Sequence, residues 1–313
     1  MGLMIEGTYH TEDPGPDTQA GGAFQRQKST IRNWITADGP FTPDPDRYHL
    51  YAAWNCPWAH RVLLVIGLKS LDISVSYARP RRTDDGWIFD ADGPFSDPLI
   101  GLRALHQAYA RATPPYTGRI TVPLLWDRKT DTAVSNESSD IVRMLGQQFP
   151  GGPDLCPAAL EAEIDRWNAI TYAGFNNGVY RAGFARSQAA YDTAVREVFE
   201  TLDLIEAHLA THRWLCGEQF TEADLRLFPT LVRFDVAYHT AFKCNRRRII
   251  DYPHLWAYAR EIYAMPGVAQ TVKFDTYRRG YYSPNPNRNP SGIVAVGPRN
   301  DWTVWPHRGQ PNG

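Results

Sequence analysis

This chain has few cysteines, no excess of either charge and no long apolar run, and these absences exclude several classes of protein. Its 313 residues include four cysteines, which are widely spaced and form neither a disulfide framework nor a paired C-x-x-C metal site. The 33 basic and 34 acidic residues leave a net charge of -1, so nothing favours nucleic acid as a partner. No uncharged apolar run approaches the roughly 20 residues that span a bilayer, and the first thirty residues lack the pattern of a signal peptide. These absences predict a protein of the reducing cytoplasm, without a membrane helix or a metal site.

The length allows one large or two ordinary domains, and changes in composition divide the chain into four segments. Residues 1–45, rich in Gly, Pro, Asp and Thr, predict an extended arm. Residues 46–150 alternate strand and helix patterns around an insertion at about 78–117, which is typical of a small α/β domain. Residues 157–275 carry apolar residues at helical spacing and predict an all-helical domain. Residues 276–313, rich in Pro and Tyr, predict an extended tail.

Cys56 is the most informative residue, because it lies at the turn between two apolar runs. It belongs to the stretch WNCPWAH that begins at Trp54, after a predicted strand, and Pro57 suits a first helical position. A thiol placed there faces unpaired helix N–H groups, which favour the reactive thiolate. The turn resembles the C-x-x-C redox turn of thioredoxin-like proteins, but Ala59 stands where the second cysteine would be. A disulfide formed by Cys56 must therefore be mixed, and a thiol from elsewhere must open it.

The other cysteines and a nearby histidine give weaker signals. Cys156 also precedes a proline and a predicted helix, but it follows a Pro/Gly loop rather than a strand, so it is not predicted to be catalytic. Cys216 and Cys244 are predicted to be ordinary buried thiols. His60 lies one helical turn beyond Cys56, and two interpretations stay open: it polarises the thiol, or it is structural.

Further motifs follow Cys56 in one order along the chain. They are NCPWAHR from Asn55, GW from Gly86, RITVPLLWD from Arg119, NES from Asn136, NNGVY from Asn176 and FKCN from Phe242. An α/β half with a cysteine turn before a helical half is similar to the cytosolic glutathione transferases. The motifs resemble the glutathionyl-hydroquinone reductases, the Xi class of that superfamily, over roughly residues 20 to 300. The resemblance implies a thioredoxin-like N-terminal domain, an all-α C-terminal domain and a homodimer.

The same resemblance implies glutathione as co-substrate, with no metal and no nucleotide, bound in the first domain. Val122-Pro123 resembles the cis-proline turn that presents the backbone N–H and C=O of Val122 to the cysteinyl part of glutathione. Glu137 and Ser138 are predicted to open a helix, where they hold the α-ammonium and the α-carboxylate of the tripeptide. The alternatives are a proline at a sheet edge or bulge and a plain helix cap.

Two more residues of the predicted glutathione site come from the resemblance. Arg119 pairs with the glycyl carboxylate, since arginine is suited to planar bidentate recognition. Trp87, after Gly86 in the insertion, covers the bound thiol. The alternatives are a surface arginine and a loop tryptophan packed on the core.

For the aromatic half of the substrate, the resemblance implies a group of tyrosines. Tyr172 and Tyr180 lie eight residues apart on a predicted helix and are predicted to share a face, while Tyr281 and Tyr282 come from the tail. All four are predicted to bind the quinol. Tyr180 and Tyr281 are the predicted catalytic pair, because a phenol can donate a hydrogen bond to a ring oxygen that gains charge as the ring leaves sulfur. The alternative for each is an ordinary place in the core.

The expected reaction is the reduction of a glutathionyl-hydroquinone through a mixed disulfide of Cys56 with glutathione, which a second glutathione resolves. Two alternatives stay open. One is another cysteine-type thiol transferase, a deglutathionylase or an omega-like dehydroascorbate reductase; the other is a non-catalytic ligand carrier. The chain also departs from the family pattern in its tail. Gly280 stands where a histidine is expected, and residues 283–287, SPNPN, replace a stretch that usually carries another.

Overall fold

The computed structural model of the chain describes residues 2–12, 18, 21–112 and 115–303. It divides into two compact units. The first comprises Met1–Gly15 and Gln27–Pro153, and the second comprises Pro16–Arg26 and Asp154–Gly313. The segment predicted as an N-terminal arm therefore contributes residues to both units.

Two sheets organise the first unit. Its strands are β1 (Leu3–Ile5), β2 (Thr8–His10), β3 (Tyr48–Ala52), β4 (Ser74–Tyr77), β5 (Gly118–Arg119), β6 (Leu124–Asp127) and β7 (Thr132–Ser135). The larger sheet has the order β4-β3-β6-β7, with β3 parallel to β4 and antiparallel to β6. Every residue of β3 and β6 is buried, as in a sheet that is covered on both faces. The smaller sheet, β2-β1-β5, joins the N-terminal strands to the start of the Val-Pro motif.

Three helices complete this unit. They are α1 (Pro57–Leu68), α2 (His106–Ala110) and α3 (Ser138–Gln148). Helix α1 connects the parallel strands β3 and β4 and packs against α3. The helix begins at Pro57 because proline has no N–H to lose at a first helical position, and its fixed φ suits a helix. This arrangement is the α/β order predicted from the sequence, and it puts Cys56 at the end of a buried strand.

A buried polar network ties the larger sheet to the insertion. The His49 ring contacts two serine hydroxyls of β4, with Nδ1 2.7 Å from Ser74 Oγ and Nε2 2.8 Å from Ser76 Oγ. Ser76 donates to the carboxylate of Asp97 at 2.7 Å, and Asp97 also accepts the backbone N–H of Leu102 at 2.9 Å. Burial lowers the pKa of His49 to about 4, although Asp97 acts in the opposite direction. The His49 ring is therefore uncharged at neutral pH, and its hydrogen bonds link β3 to β4.

The depressed pKa of His49 predicts an acid-dependent loss of stability. The unfolded chain protonates this ring below about pH 6.5, whereas the folded chain resists until about pH 4. The neutral His49 ring therefore makes its full contribution to the free energy of unfolding above pH 6.5. This contribution decreases by up to about 3 kcal/mol as the pH falls from 6.5 to about 4. Urea unfolding of the wild type and His49→Gln at pH 7 and pH 4.5 measures it. We expect the stability advantage of the wild type to shrink at the lower pH; an unchanged difference contradicts the prediction.

The secondary-structure elements of the second unit, over the residues described, are all helices. Its α-helices are α4 (Glu161–Thr171), α5 (Gly178–Gly183), α6 (Gln188–Leu209), α7 (Glu222–Arg233), α8 (His239–Ala241), α9 (Pro253–Ala264) and α10 (Phe274–Tyr281). Two π-helical segments, Tyr172–Asn176 and Phe234–Tyr238, lie between α4 and α5 and between α7 and α8. Among the described helices, none has the length and apolar character needed to cross a membrane.

The prediction of an extended tail over residues 276–313 is wrong at its start. Residues 276–281 belong to α10, which runs from Phe274 to Tyr281. Phe274, Tyr277 and Tyr281 recur at helical spacing, and the prolines that suggested extended chain begin only at Pro284. The predicted boundary at 275/276 therefore cuts a helix, and it is Tyr281, on the helix, that reaches the other phenols.

Candidate functional site

Cys56 stands at the N-terminus of α1, in the position that the sequence predicts. Its backbone is extended and its N–H donates to the Ala53 carbonyl at 3.0 Å, so the residue ends the strand and caps the helix. The carbonyl of Cys56 accepts the N–H of His60 at 3.0 Å, which begins the helical hydrogen-bond ladder. The side chain is partly exposed. A sulfur placed here lies at the positive end of the helix dipole, which stabilises a thiolate.

The Cys56 thiol meets the Val-Pro motif directly. Sγ donates to the carbonyl of Val122 at 3.3 Å, and the peptide bond that follows, Val122–Pro123, is cis. The motif comes from the segment between β5 and β6, so two distant parts of the sequence converge on one sulfur. We call these residues, Cys56, Val122 and Pro123, the thiol turn.

The remaining cysteines are suited to packing rather than to chemistry. All four cysteines lie in the described ranges, and Cys56 alone among them is partly exposed, since Cys156, Cys216 and Cys244 are buried. Burial raises the pKa of Cys216 to about 11 and that of Cys244 to about 12, so both remain thiols at neutral pH. The prediction that Cys216 and Cys244 are buried thiols is confirmed. His60 is buried as well, with 1% of its surface exposed.

Glu137 and Ser138 mark the start of α3, as predicted. Glu137 is the cap: its Oε1 accepts the N–H of Ser139 at 3.1 Å and the hydroxyl of Ser139 at 2.8 Å. Burial alone would raise the pKa of Glu137, but these hydrogen bonds and the Arg61 charge outweigh it and hold that pKa below its usual value. Glu137 is thus an anion at neutral pH, while Ser138 is the first residue of the helix and is buried. Both the plain cap and a ligand role are compatible with this geometry.

Trp87 and Arg119 have defined positions in the first unit. Trp87 lies in the insertion, is 7% exposed, and its carbonyl accepts the N–H of Leu105 at 2.8 Å. The Arg82 guanidinium lies over its indole, 5.1 Å from the ring centroid. Arg119 ends β5 and is partly exposed, and its carbonyl accepts the hydroxyl of Tyr116 at 2.9 Å. Their roles toward glutathione stay predictions.

In the second unit, three phenols meet and form what we call the phenol cluster: Tyr180, Tyr238 and Tyr281. The Tyr281 hydroxyl is central, 2.8 Å from that of Tyr180 and 2.7 Å from that of Tyr238, whereas Tyr180 and Tyr238 are 3.4 Å apart. The structure therefore brings together the predicted pair, Tyr180 and Tyr281. It adds Tyr238, which the sequence did not reveal because that residue follows the apolar residues Val236 and Ala237 and looks like core.

The protonation of the phenol cluster is set by burial and by one arginine. Burial raises the pKa values of Tyr238 and Tyr281 well above their usual value, and the phenol of Tyr180 acts in the same direction on both. Arg233, which is fully buried and lies 3.8 Å from the Tyr277 ring centroid, opposes that rise. At neutral pH both phenols carry their protons and can donate hydrogen bonds. The two short hydrogen bonds, from Tyr281 to Tyr180 and from Tyr281 to Tyr238, use two of the three hydroxyl protons. The longest hydroxyl–hydroxyl distance, between Tyr180 and Tyr238, involves the partly exposed Tyr180.

The other two predicted tyrosines, Tyr172 and Tyr282, differ in exposure. Tyr172 and Tyr180 do not lie on one uninterrupted α-helix, because the π-helical segment Tyr172–Asn176 precedes α5; that they share a face stays a prediction. Tyr172 is 39% exposed. Tyr282 is buried, and its hydroxyl is associated with Thr240 and with the backbone of Ala241. A substrate-binding role for either stays a prediction.

Comparison with known proteins matches both halves of the chain to glutathione S-transferase domains. The family model described as glutathione S-transferase, N-terminal domain, matches residues 55–148, and the one described as glutathione S-transferase, C-terminal domain, matches residues 188–261. The glutathionyl-hydroquinone reductase YqjG of Escherichia coli K12 is 47% identical over 330 residues, which cover 100% of this chain and 98% of YqjG. The glutathionyl-hydroquinone reductase PcpF of Sphingobium chlorophenolicum is 46% identical over 308 residues, or 95% and 96% of the two chains.

Solved structures agree. A glutathione-bound structure of YqjG superimposes with a TM-score of 0.84 at 47% identity, covering 88% of this chain and 95% of that one. The Xi-class transferase of Natrialba magadii superimposes with a TM-score of 0.90 at 42% identity, covering 98% and 96%. These similarities confirm the fold class predicted from the sequence and the resemblance that its motifs carried.

Proposed function

Because this chain belongs to the glutathionyl-hydroquinone reductases, the Xi class of the glutathione transferases, we propose that it uses glutathione to reduce glutathionyl-hydroquinones to free hydroquinones through Cys56. The observation that carries the proposal is the thiol turn, where a partly exposed cysteine at a helix N-terminus lies 3.3 Å from the Val122 carbonyl. Incubation with a glutathionyl-hydroquinone and glutathione tests it, by chromatography of the free hydroquinone and an assay for glutathione disulfide. Neither product forms if the proposal is wrong.

The proposed reaction has two balanced steps. The Cys56 thiolate attacks the sulfur of the conjugate, the aryl carbon takes the electron pair of its C–S bond together with one proton, and Cys56 becomes a mixed disulfide with glutathione. The thiolate of a second glutathione then attacks that disulfide, which releases glutathione disulfide and restores Cys56. The aryl carbon is reduced by two electrons, while the thioether sulfur of the conjugate and the thiol sulfur of the second glutathione are oxidised to one disulfide. Because Ala59 stands where a resolving cysteine would be, the second thiol must come from solution.

Glutathione is the thiol that the family relationship supports, since YqjG has a glutathione-bound structure. In our proposal the cysteinyl backbone of glutathione pairs with Val122, at the thiol turn. Glu137, an anion at neutral pH, takes its α-ammonium group, and Ser138 with the first N–H groups of α3 takes its α-carboxylate. Arg119 and Trp87 complete the proposed site, on the glycyl carboxylate and over the sulfur respectively.

Glu137→Gln separates the two functions of this residue. An amide oxygen can still accept the Ser139 hydrogen bonds that cap α3, but the amide has no charge for an ammonium group. We expect the KM for glutathione to rise at least about tenfold, since a charge-assisted hydrogen bond contributes roughly 1.5–3 kcal/mol, while kcat changes little. Steady-state kinetics with varied glutathione measures the effect.

Asp140→Asn is the matched control for that experiment. Asp140 carries a charge in the same first turn of α3, but it forms a bidentate pair with Arg32, at 2.6 and 2.7 Å. We expect its KM for glutathione to stay within about twofold of the wild type, because neither side chain belongs to the proposed site. Equal changes in both variants would mean that the helix terminus, and not Glu137, sets the affinity.

We propose that the phenol cluster acts on the aromatic part of the conjugate. Tyr180 is the partly exposed member, and its hydroxyl is held toward Tyr281 at 2.8 Å. A phenol in this environment can donate a hydrogen bond to a quinol oxygen that gains negative charge while the C–S bond breaks. Tyr281 and Tyr238 orient the Tyr180 hydroxyl, and their own hydroxyl protons lie next to it in the hydrogen-bonded cluster.

The alternative of a plain thiol transferase predicts a different substrate preference. A deglutathionylase or dehydroascorbate reductase needs the thiol turn but has no use for three hydrogen-bonded phenols. Turnover of a glutathionyl-hydroquinone, a small glutathione mixed disulfide and dehydroascorbate, compared as kcat/KM, discriminates the two. Our proposal also includes the homodimer that the family relationship implies, which sedimentation velocity tests directly.

A further inference from the structure

Residues 296–302, which we call the strap, follow the last helix and are fastened to the helical unit. The side-chain amide of Asn300 donates to the carboxylate of Asp235 at 2.7 Å. Asp235 is buried, and its second oxygen accepts the N–H of Ile249 at 2.6 Å. Asp235 belongs to the π-helical segment Phe234–Tyr238. The strap is therefore attached to the segment that carries one member of the phenol cluster.

The beginning of the strap is attached to a different element, α10. The Arg278 side chain donates from Nη1 to the Val296 carbonyl at 2.6 Å. Gly297 has a φ of +70°, which glycine adopts without strain. A Cβ at Gly297 would lie 3.5 Å from the Cδ of Arg278 and 3.9 Å from the Cα of Val236. The backbone of the strap thus lies against α10 and against the π-helical segment at the same point.

The far end of the strap is anchored by Trp302, which is buried. Its indole meets Trp256 nearly edge-on, with ring centroids 4.6 Å apart. It also lies 5.4 Å from the ring of Tyr263 and 5.6 Å from that of Phe274. These three rings come from α9 and from the start of α10. Because a buried tryptophan among three rings makes a large and specific contact, the strap is held at its end as well as along its length.

The two elements that the strap joins carry two of the three phenols. Tyr238 lies three residues after Asp235 in the π-helical segment, and Tyr281 lies three residues after Arg278 in α10. Their hydroxyls are 2.7 Å apart. The four residues between the two polar attachments of the strap span at most about 14 Å, which limits how far the elements can separate. A displacement of about 1 Å would already break the bond between the hydroxyls.

We propose that the strap is a positioning element for the phenol cluster, and that the bond between Asn300 and Asp235 is its essential attachment. It holds Tyr238 against Tyr281, and Tyr281 in turn orients the hydroxyl of Tyr180. The consequence for catalysis rests on the proposed function, whereas the effect of the strap on the geometry of the phenols does not. Asn300 is thus a residue that acts on the reaction through other side chains.

Asn300→Asp tests this attachment. At pH 8 the introduced carboxylate faces that of Asp235, and repulsion between the two charges detaches the strap from the π-helical segment. We expect kcat for a glutathionyl-hydroquinone to fall about tenfold with KM nearly unchanged, because the hydroxyl that meets the quinol loses its orientation. Reduction of a small glutathione mixed disulfide should continue at the wild-type rate. Asn300→Leu, which removes the hydrogen bond without adding a charge, should show the same split.

A second substitution should restore the attachment. In Asp235→Asn/Asn300→Asp the donor and the acceptor exchange places. The amide oxygen introduced at position 235 can still accept the N–H of Ile249, while its NH2 group can donate to the carboxylate on the strap. We expect kcat of the double variant to return to within about twofold of the wild type. Such a rescue measures the pairwise interaction, which a general loss of stability would not reproduce.

The geometry of the phenols can be followed without turnover. In protein labelled with 13C at the ζ carbon of tyrosine, the NMR signals of Tyr238 and Tyr281 are assigned by their disappearance in Tyr238→Phe and Tyr281→Phe. We expect both signals to move in Asn300→Asp and to return toward their wild-type positions in the double variant. The chemical shift of the ζ carbon responds to the hydrogen bonds of the phenol, so this readout reports on the cluster directly.

Asn287→Asp is the matched control, since it makes the same change at an exposed residue of the tail outside the strap. Its kinetics and its tyrosine signals should equal those of the wild type. The inference is overturned if Asn300→Asp leaves the signals of Tyr238 and Tyr281 in place, if the double variant does not restore them, or if Asn300→Asp slows both substrates alike.

The two readouts separate this inference from the proposed function. If the wild type reduces the conjugate but Asn300→Asp changes neither kcat nor the tyrosine signals, the function stands and the inference is refuted. If the wild type reduces no conjugate but the signals move in Asn300→Asp and return in the double variant, the function is refuted and the positioning of the phenols by the strap stands.

Discussion

Cys56→Ser should lower kcat/KM for a glutathionyl-hydroquinone by at least about a thousandfold, because a serine hydroxyl cannot replace the thiolate that attacks sulfur. The substitution is isosteric, and the Sγ to Val122 contact is a single weak hydrogen bond at 3.3 Å, so the free energy of unfolding should change by only about 1 kcal/mol. Intact mass spectrometry supplies the second readout. Wild-type protein mixed with substrate and no free glutathione should gain the mass of one glutathione, and the variant should gain none.

Cys156→Ser provides the control for that result. Cys156, like Cys56, precedes a proline, but it is buried and its N–H donates to the Asp154 carboxylate at 3.1 Å in a loop before a short 3-10 helix. We expect wild-type turnover and a wild-type mass shift. Retained turnover in Cys56→Ser, or a glutathione adduct on Cys156, would remove the thiol turn from the mechanism.

The thiol turn could be predicted because its determinants are local. Pro57 fixes a helix start, the apolar run before Trp54 marks a buried strand, and the thiol falls between them. The start of α3 at Glu137 and Ser138 can be predicted from the sequence for the same reason, since a side chain that accepts hydrogen bonds, followed by a helical pattern, predicts a helix cap. The 3.3 Å approach of Cys56 to Val122 joins residues 66 positions apart, and only the resemblance to a known family predicted it.

The errors fall where backbone geometry depends on packing. The sequence predicts one helix through Tyr172 and Tyr180, and the π-helical segment that interrupts it has no sequence signature comparable to a cap or a proline. A second such segment, Phe234–Tyr238, carries Tyr238 into the phenol cluster. Both segments lie beside functional candidates, in keeping with the frequent occurrence of π-bulges at functional sites. The start of the tail was missed for a different reason, because prolines after Tyr282 outweighed the helical spacing before it.

Tyr180→Phe should have the second largest effect, a fall in kcat of about tenfold to a hundredfold with glutathionyl-hydroquinones. The ring keeps its aromatic neighbours Phe184 and Phe242 and only the hydroxyl is lost, so binding of the conjugate should change little. Tyr281→Phe should give a smaller fall, because Tyr281 orients the donor through its 2.8 Å bond to Tyr180 instead of facing the quinol itself. The expected split, kcat lowered and KM nearly unchanged, indicates an interaction made only in the transition state.

A small glutathione mixed disulfide makes this prediction specific, since its reduction uses Cys56 but no quinol oxygen. Tyr180→Phe should reduce that substrate at the wild-type rate, and a parallel loss with both substrates would mean that the phenol supports the fold or the thiol instead. Tyr191→Phe is the matched variant: its hydroxyl donates to the Lys243 carbonyl at 2.6 Å, outside the phenol cluster. We expect Tyr191→Phe to keep wild-type kinetics, because a lost phenol matters to catalysis only where charge develops on the leaving ring.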